Sequence, residues 1–237
     1  LLLAGGARAD DLPISDAVRK APIKKLAKDL RKKARSPRAP KYKPEILAIL
    51  ESLEVLGGAE AGEAALGAVP LADEEVRDRA FTLAETWPEP ELTKPLIGIL
   101  EDKRDRQDAD ARGRAARSLS IVGDPKAMPV LTDLIRTDED PKVLAVAADS
   151  LATFASAPLP LRKEAVKRLV NTYTSTWNLM MSVRPEDKVI ASKMRKQYQI
   201  YGRNVRRALE SLTGETGISR PQEWREWWNE NKKRTDW

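Results

Sequence analysis

Residues 111–154 read ARGRAARSLSIVGDPKAMPVLTDLIRTDEDPKVLAVAADSLATF, and the spacing of their apolar side chains decides the fold. Ala111, Ala115, Leu119 and Val122 recur at three- and four-residue steps, which puts them on one face of an α-helix. Gly123 ends that helix, and Asp124-Pro125 opens the next. The carboxylate caps orphan amides, while proline occupies a first helical position whose amide needs no partner. Met128, Val130, Leu131, Leu134 and Ile135 form a second stripe. Asp140-Pro141 repeats the start signal, and Val143, Ala147, Leu151 and Phe154 make a third.

The same pattern extends on both sides. Leu53, Leu83, Leu119 and Leu151 stand at matching points of four successive units, 30, 36 and 32 residues apart. That period is too long for a heptad and suits paired helices. An amphipathic helix pair cannot bury its apolar face alone, so neighbouring pairs must stack. Upstream, Pro44 opens a stripe of Ile46, Leu50, Leu53 and Leu56 closed by Gly57-Gly58, with a partner helix over 61–69. Asp73-Glu74-Glu75 places acids at the next helix start, before Val76, Ala80, Leu83 and Ala84. Downstream, Leu161, Ala165, Leu169 and Tyr173 continue the array. A polar run over 101–110 reads as a surface loop. No stretch alternates apolar and polar residues as a half-buried strand does, so the chain is all-α.

Composition narrows the chemistry. The 237 residues hold no cysteine and no histidine, which excludes disulfides, thiolate nucleophiles, zinc-thiolate sites and the usual proton shuttle. There is no GxGxxG, no phosphate-cradling loop ending in Lys-Ser or Lys-Thr, and no GxSxG. The acids of 137–142 lack the spacing and the glycine of a calcium loop and read as helix-start charges. The sequence therefore predicts no catalytic residue, no metal ligand and no cofactor. Ala7-Arg8-Ala9, after an apolar start, has small residues one and three before a cut, so residues 1–9 read as the remnant of a secretory signal cleaved before Asp10. The expected location is periplasmic or secreted. No segment approaches the ~20 apolar residues of a spanning helix.

Charge divides the chain. Between Arg19 and Lys43 twelve Lys and Arg stand against one acid, a net of +11. Between Pro44 and Asp102 fourteen acids stand against three bases, a net of −11. Adjacent blocks of opposite sign attract each other or attract separate partners. The basic block carries Val18, Ile23, Leu26 and Leu30 at helical spacing and ends at Ser36-Pro37-Arg38-Ala39-Pro40. Residues 10–43 thus read as a basic helical arm and linker, with Lys24, Lys25, Lys28, Arg31 and Lys32 as candidate partner contacts.

Residues 185–212 read as a long helix with Ile190, Met194, Tyr198, Tyr201, Val205, Ala208 and Leu212 inward. Its other face sets Lys188, Arg195, Lys196, Arg203 and Arg206 within about 100° of helical angle, a stripe that suits phosphates or an acidic protein, with a solvated outer face as the plainer reading. Trp224, Trp227 and Trp228 share a face of a short helix after Pro221, where large rings would cap the last unit. An aromatic surface for sugars or bases is the rival reading. Trp87, Trp177 and Trp237 stand alone in sequence and read as packing residues rather than a site.

The stretch 111–154, with Ala115-Ala116, Leu119, Gly123-Asp124-Pro125, Pro129-Val130-Leu131 and Ala147-Ala148 before Leu151, resembles HEAT-repeat sequence. The likeness is looser over 44–110, and the insertion 175–181 departs from it. Leu209–Leu212, Thr213-Gly214 and Trp224–Trp228 look like the ends of exported bacterial HEAT-repeat proteins. The resemblance implies an α-solenoid of about five stacked hairpins over 44–213, followed by a capping segment over 214–237. It implies a non-enzymatic scaffold for protein partners, or a subunit of a larger complex, in the periplasm or cell envelope. The alternative is a nucleic-acid-binding protein similar to the HEAT-like DNA glycosylases, in which the basic arm and the basic stripe would converge. Metal-dependent hydroxylases of HEAT type need His-Glu motifs that this chain lacks.

Overall fold

The computed structural model describes residues 16–36, 38–70, 73–102, 108–184 and 186–237. The expected signal remnant, 1–9, and much of the expected 101–110 loop lie outside them. Among the described residues the regular structure is helical throughout, with eleven α-helices joined by turns and short 3-10 segments. Backbone contacts divide the chain into two compact units, Leu1–Trp87 and Pro88–Trp237.

The first unit contains α1 (Asp16–Ala34), α2 (Lys43–Leu56), α3 (Ala59–Leu66) and α4 (Glu74–Thr86). The basic helix α1 is seated on α2 and α3. Ile23, Ala27, Leu30 and Ala34 are buried, whereas Val18, expected on the same stripe, is 63% exposed and Leu26 is half-buried. At about 1.5–3 kcal/mol for each fully buried Ile or Leu, this face holds α1 within its own unit. The two charge blocks meet there: Lys20 pairs with Glu60 at 3.5 Å, and Lys33 bonds Glu45. Exposed pairs of this kind add little, so apolar burial carries the packing. Gly57 ends α2 at φ 68° and lies against the Trp87 ring, where an added β-carbon would come within 3.2 Å.

Asp73 caps α4, its Oδ1 accepting from the Val76 amide at 3.2 Å, while Lys43 Nζ reaches Asp73 at 2.9 Å and Glu75 at 2.8 Å. The hydrogen bond from Lys43 holds the Asp73 carboxyl below the usual carboxylate range, and those to Glu75 and Asp73 raise the lysine. A depressed carboxyl stabilises the fold above its unfolded pKa and loses that contribution as pH falls through its folded value. Asp73→Ala is therefore expected to cost about 1 kcal/mol at neutral pH, and the gap from the parent to shrink as pH drops below ~4. Urea melts followed by circular dichroism at pH 7 and pH 3 check both signs.

The second unit contains α5 (Thr93–Glu101), α6 (Ala109–Val122), α7 (Met128–Thr137), α8 (Pro141–Ala152), α9 (Leu159–Ser182), α10 (Lys188–Thr213) and α11 (Pro221–Asn231). One layer runs α6–α8–α10 and the other α7–α9–α11, with α5 packed on α6. Leu119, Leu131, Leu151, Leu169, Val205 and Leu212 are fully enclosed between them. Asp124 and Asp140 cap as the sequence predicts, accepting from the amides of Lys126 at 3.0 Å and Lys142 at 2.8 Å.

Register between helices is pinned by side-chain donors. Ser150 Oγ donates to the Ala116 carbonyl at 2.9 Å, Asn204 Nδ2 to the Ala145 carbonyl at 3.3 Å, and Ser211 Oγ to the Ala152 carbonyl at 2.6 Å. Thr172 Oγ1 donates to the Ile135 carbonyl at 3.2 Å. Higher numbers on α10 match higher numbers on α8, so these two helices run parallel.

Two sequence expectations are revised here. The insertion 175–181 does not interrupt the helix; it lengthens α9 to 24 residues. Trp177 and Trp237, alone in sequence, pack against other rings as expected. Trp177 lies 5.2 Å from the Tyr198 ring, and Trp237 meets Trp227 at 5.3 Å and Trp228 at 6.2 Å. Finally, the inward face of α10 is buried only from Tyr201 onward, since Ile190 is 51% exposed and Met194 and Tyr198 are half-buried.

Candidate interaction surfaces

The candidate basic residues fall on two helices in two units. Lys24, Lys25, Lys28, Arg31 and Lys32 are all exposed on α1; Lys25, Lys28 and Lys32 lie away from its buried stripe, whereas Lys24 and Arg31 flank that stripe beside α3, with Arg31 against Gly67. Lys188, Arg195, Lys196 and Arg203 are exposed on α10, while Arg206 is half-buried with its Nε 3.9 Å from Glu210. The i,i+4 pair with Glu210 takes Arg206 out of the free stripe. Lys188, Arg195, Lys196 and Arg203 have no acidic partner within 4.0 Å among the described residues, as is also true of Lys193.

Trp224 is fully buried under α11, its Nε1 donating to the Ile218 carbonyl at 3.1 Å. Trp227 and Trp228 are half-buried, and Trp237 folds over both. Arg162 fixes that fold by donating to the carbonyls of Ala157 at 3.1 Å, Leu212 at 2.9 Å and Trp237 at 2.6 Å. Lys163 adds its ammonium 5.7 Å from the Trp237 ring. The tryptophan set is thus engaged by its own chain rather than offered as an open aromatic platform.

A groove of about 680 Å³ opens between α5 and α7. Ile97 and Leu100 wall one side, Pro129 and Val130 the other, with Asp133 and Lys126 at the edges. Beneath lies an ion pair that sequence reasoning missed. Arg112 Nε and Nη2 donate to Asp138 Oδ2 and Oδ1 at 2.6 and 2.9 Å, with side chains only 10% and 4% exposed. The sequence reading assigned Asp138 to helix-start electrostatics, but its carboxylate faces α6 and only Asp140 caps α8. No local signal marked the pair, because its members are 26 residues apart. Among the described residues no three acids gather as a metal would need, and no helix is long and apolar enough to cross a membrane.

Residues 65–152 match the family model of HEAT repeats. The matched HEAT segment runs from α3 through α8 and includes both walls of the groove. Curated proteins and solved structures gave no match. HEAT repeats commonly mediate protein–protein interaction, and the segment's helices leave outward side chains that internal packing does not use.

Proposed function

We propose that this chain is a non-enzymatic protein-binding scaffold built on stacked HEAT hairpins, with α11 and its tryptophans closing the end of the second unit. The observation that carries this reading is the groove between α5 and α7. Its lining is polar and apolar in about equal measure, with Ile97, Leu100, Pro129 and Val130 set among Glu101, Lys126, Asp133 and Glu139, and the bidentate Arg112–Asp138 pair is locked within it. Side chains mounted on rigid helices lose little conformational freedom on binding, so such a groove suits a peptide segment of a partner. The proposed place of action is the periplasm or cell envelope, supported by the Ala7-Arg8-Ala9 spacing and checked by fractionating native cells.

A photo-crosslinking amino acid at Val130 is expected to capture a protein in native extract, while the same group at Val55, 80% exposed on α2, captures none. Equal capture from both positions, or none from Val130, refutes the groove. If duplex DNA shifts the chain at low salt and Lys188→Glu with Lys196→Glu abolishes the shift, the nucleic-acid alternative replaces this reading.

A further inference from the structure

The α9–α10 hairpin is flush with its neighbour at one end and projects past it at the other. Ser211 meets Ala152, the last residue of α8, so the two helices finish together. Asn204 lies beside Ala145 and Asp149, yet α8 starts at Pro141 and α10 at Lys188. α10 therefore extends about twelve residues, ~18 Å, beyond the start of α8. On the other layer Thr172 meets Ile135, two residues before α7 ends, while α9 continues to Ser182. The result is a step whose floor is the α7–α8 turn and whose riser is the projecting hairpin.

The riser is the continuation of a packing face. Asn204, Arg207 and Ser211 of α10 reach α8 through Asp149, Ala145 and Ala152. Followed toward the start of α10 at three- and four-residue steps, the same line carries Ile200, Lys196, Lys193 and Val189. Val189 is 84% exposed and Ile200 41%. On α9 the residue seven beyond Thr172 is Leu179, 56% exposed. A side that takes a helix below is bare above, for about three turns. The hairpin behind it is stiffened by aromatic packing: Tyr173 and Tyr198 stack at 5.6 Å with their hydroxyls hydrogen-bonded at 3.0 Å, and Trp177 leans on Tyr198. The riser is preformed.

Charge selects the occupant. Lys193 and Lys196 have no acidic partner on the riser, and on the floor Asp138 is held by Arg112 while Asp140 caps α8, leaving Glu139 as the one uncommitted acid of that turn. The interleaving of branched apolar side chains with lysines along a single line matches one helix laid lengthwise. We propose that the step receives an amphipathic helix of about three turns from an acidic partner protein. Its apolar side chains cover Leu179, Val189 and Ile200, and its carboxylates meet Lys193 and Lys196. This deepens the protein-binding reading and rests on it.

The test uses the full chain and three fluorescein-labelled synthetic helices with one shared leucine stripe and flanks of Glu, Gln or Lys. Fluorescence anisotropy is expected to show the Glu helix binding about tenfold tighter than the Gln helix, with no binding of the Lys helix. Lys193→Glu with Lys196→Glu is expected to weaken the Glu helix about tenfold or more, as is a rise in salt, whereas Lys24→Glu with Lys28→Glu on α1 changes nothing. Ile200→Ser is expected to weaken all binding several-fold while circular dichroism stays unchanged. Equal affinity for Glu and Gln helices overturns the proposal, as does equal sensitivity to the α1 substitutions. Capture by phosphatidylglycerol vesicles without peptide binding also overturns it in favour of a lipid surface, and concentration-dependent dimers broken by the Ile200 variant overturn it in favour of a second copy. Crosslinking from Val130 is independent of all these outcomes, so loss of the step leaves the groove standing.

Discussion

Arg112→Ala is expected to lower the free energy of unfolding by about 3–5 kcal/mol, seen as a fall in the urea midpoint at unchanged slope. The guanidinium gives two hydrogen bonds to one carboxylate, and both side chains are almost fully enclosed. Removing it leaves the Asp138 charge with one backbone donor, the Asp140 amide at 3.0 Å, in a site that water barely reaches. The cost is that of a stranded charge rather than the worth of the pair. The double variant Arg112→Met with Asp138→Leu is therefore expected to recover most of the loss, because apolar side chains of similar volume replace buried pairs at little cost. Crosslinking from Val130 should fail in the single variant and return only in part in the double, since the groove floor is restored in volume but not in charge.

Trp224→Ala is the second large effect, about 3–5 kcal/mol. Its ring is fully buried and its indole N–H is committed to the Ile218 carbonyl, so truncation leaves both a cavity and an orphaned acceptor. Trp228→Ala, on the half-exposed side of the same helix, is expected to cost well under half as much. Thermal melts of the two variants give the ratio. Similar losses at both positions would show that the tryptophans act as one exposed surface cluster and not as an anchor with a rim.

Local signals were legible because they are local. Asp124-Pro125 and Asp140-Pro141 start helices, Gly123 stops one, and the apolar stripes of 111–154 turn inward except at Val122 and Val130, which are half-buried, Val130 in the groove wall. The riser was hidden for a physical reason. Val189, Lys193, Lys196 and Ile200 continue the side of α10 that meets α8 through Asn204, Arg207 and Ser211, and periodicity alone cannot tell how far a neighbouring helix extends along that side. The length of α8, fixed by its Asp140 cap and its end at Ala152, decides which residues are covered. Lys193 escaped the basic stripe because it lies on the side of α8, away from Lys188 and Arg195. The Arg112–Asp138 pair and the Arg162 hub join residues 26 and 75 apart, a kind of contact that no sequence period encodes.

The carbonyl-directed donors of Ser150, Thr172, Asn204 and Ser211 also constrain how the second unit yields under load. Sliding one helix along another by even a turn would orphan each donor at once, at about 1–3 kcal/mol apiece, whereas a slight fanning of the layers stretches them only gradually. Shear is thus the stiff direction and flexure the soft one, so a ligand that spreads α6, α8 and α10 apart meets an elastic spring rather than a ratchet.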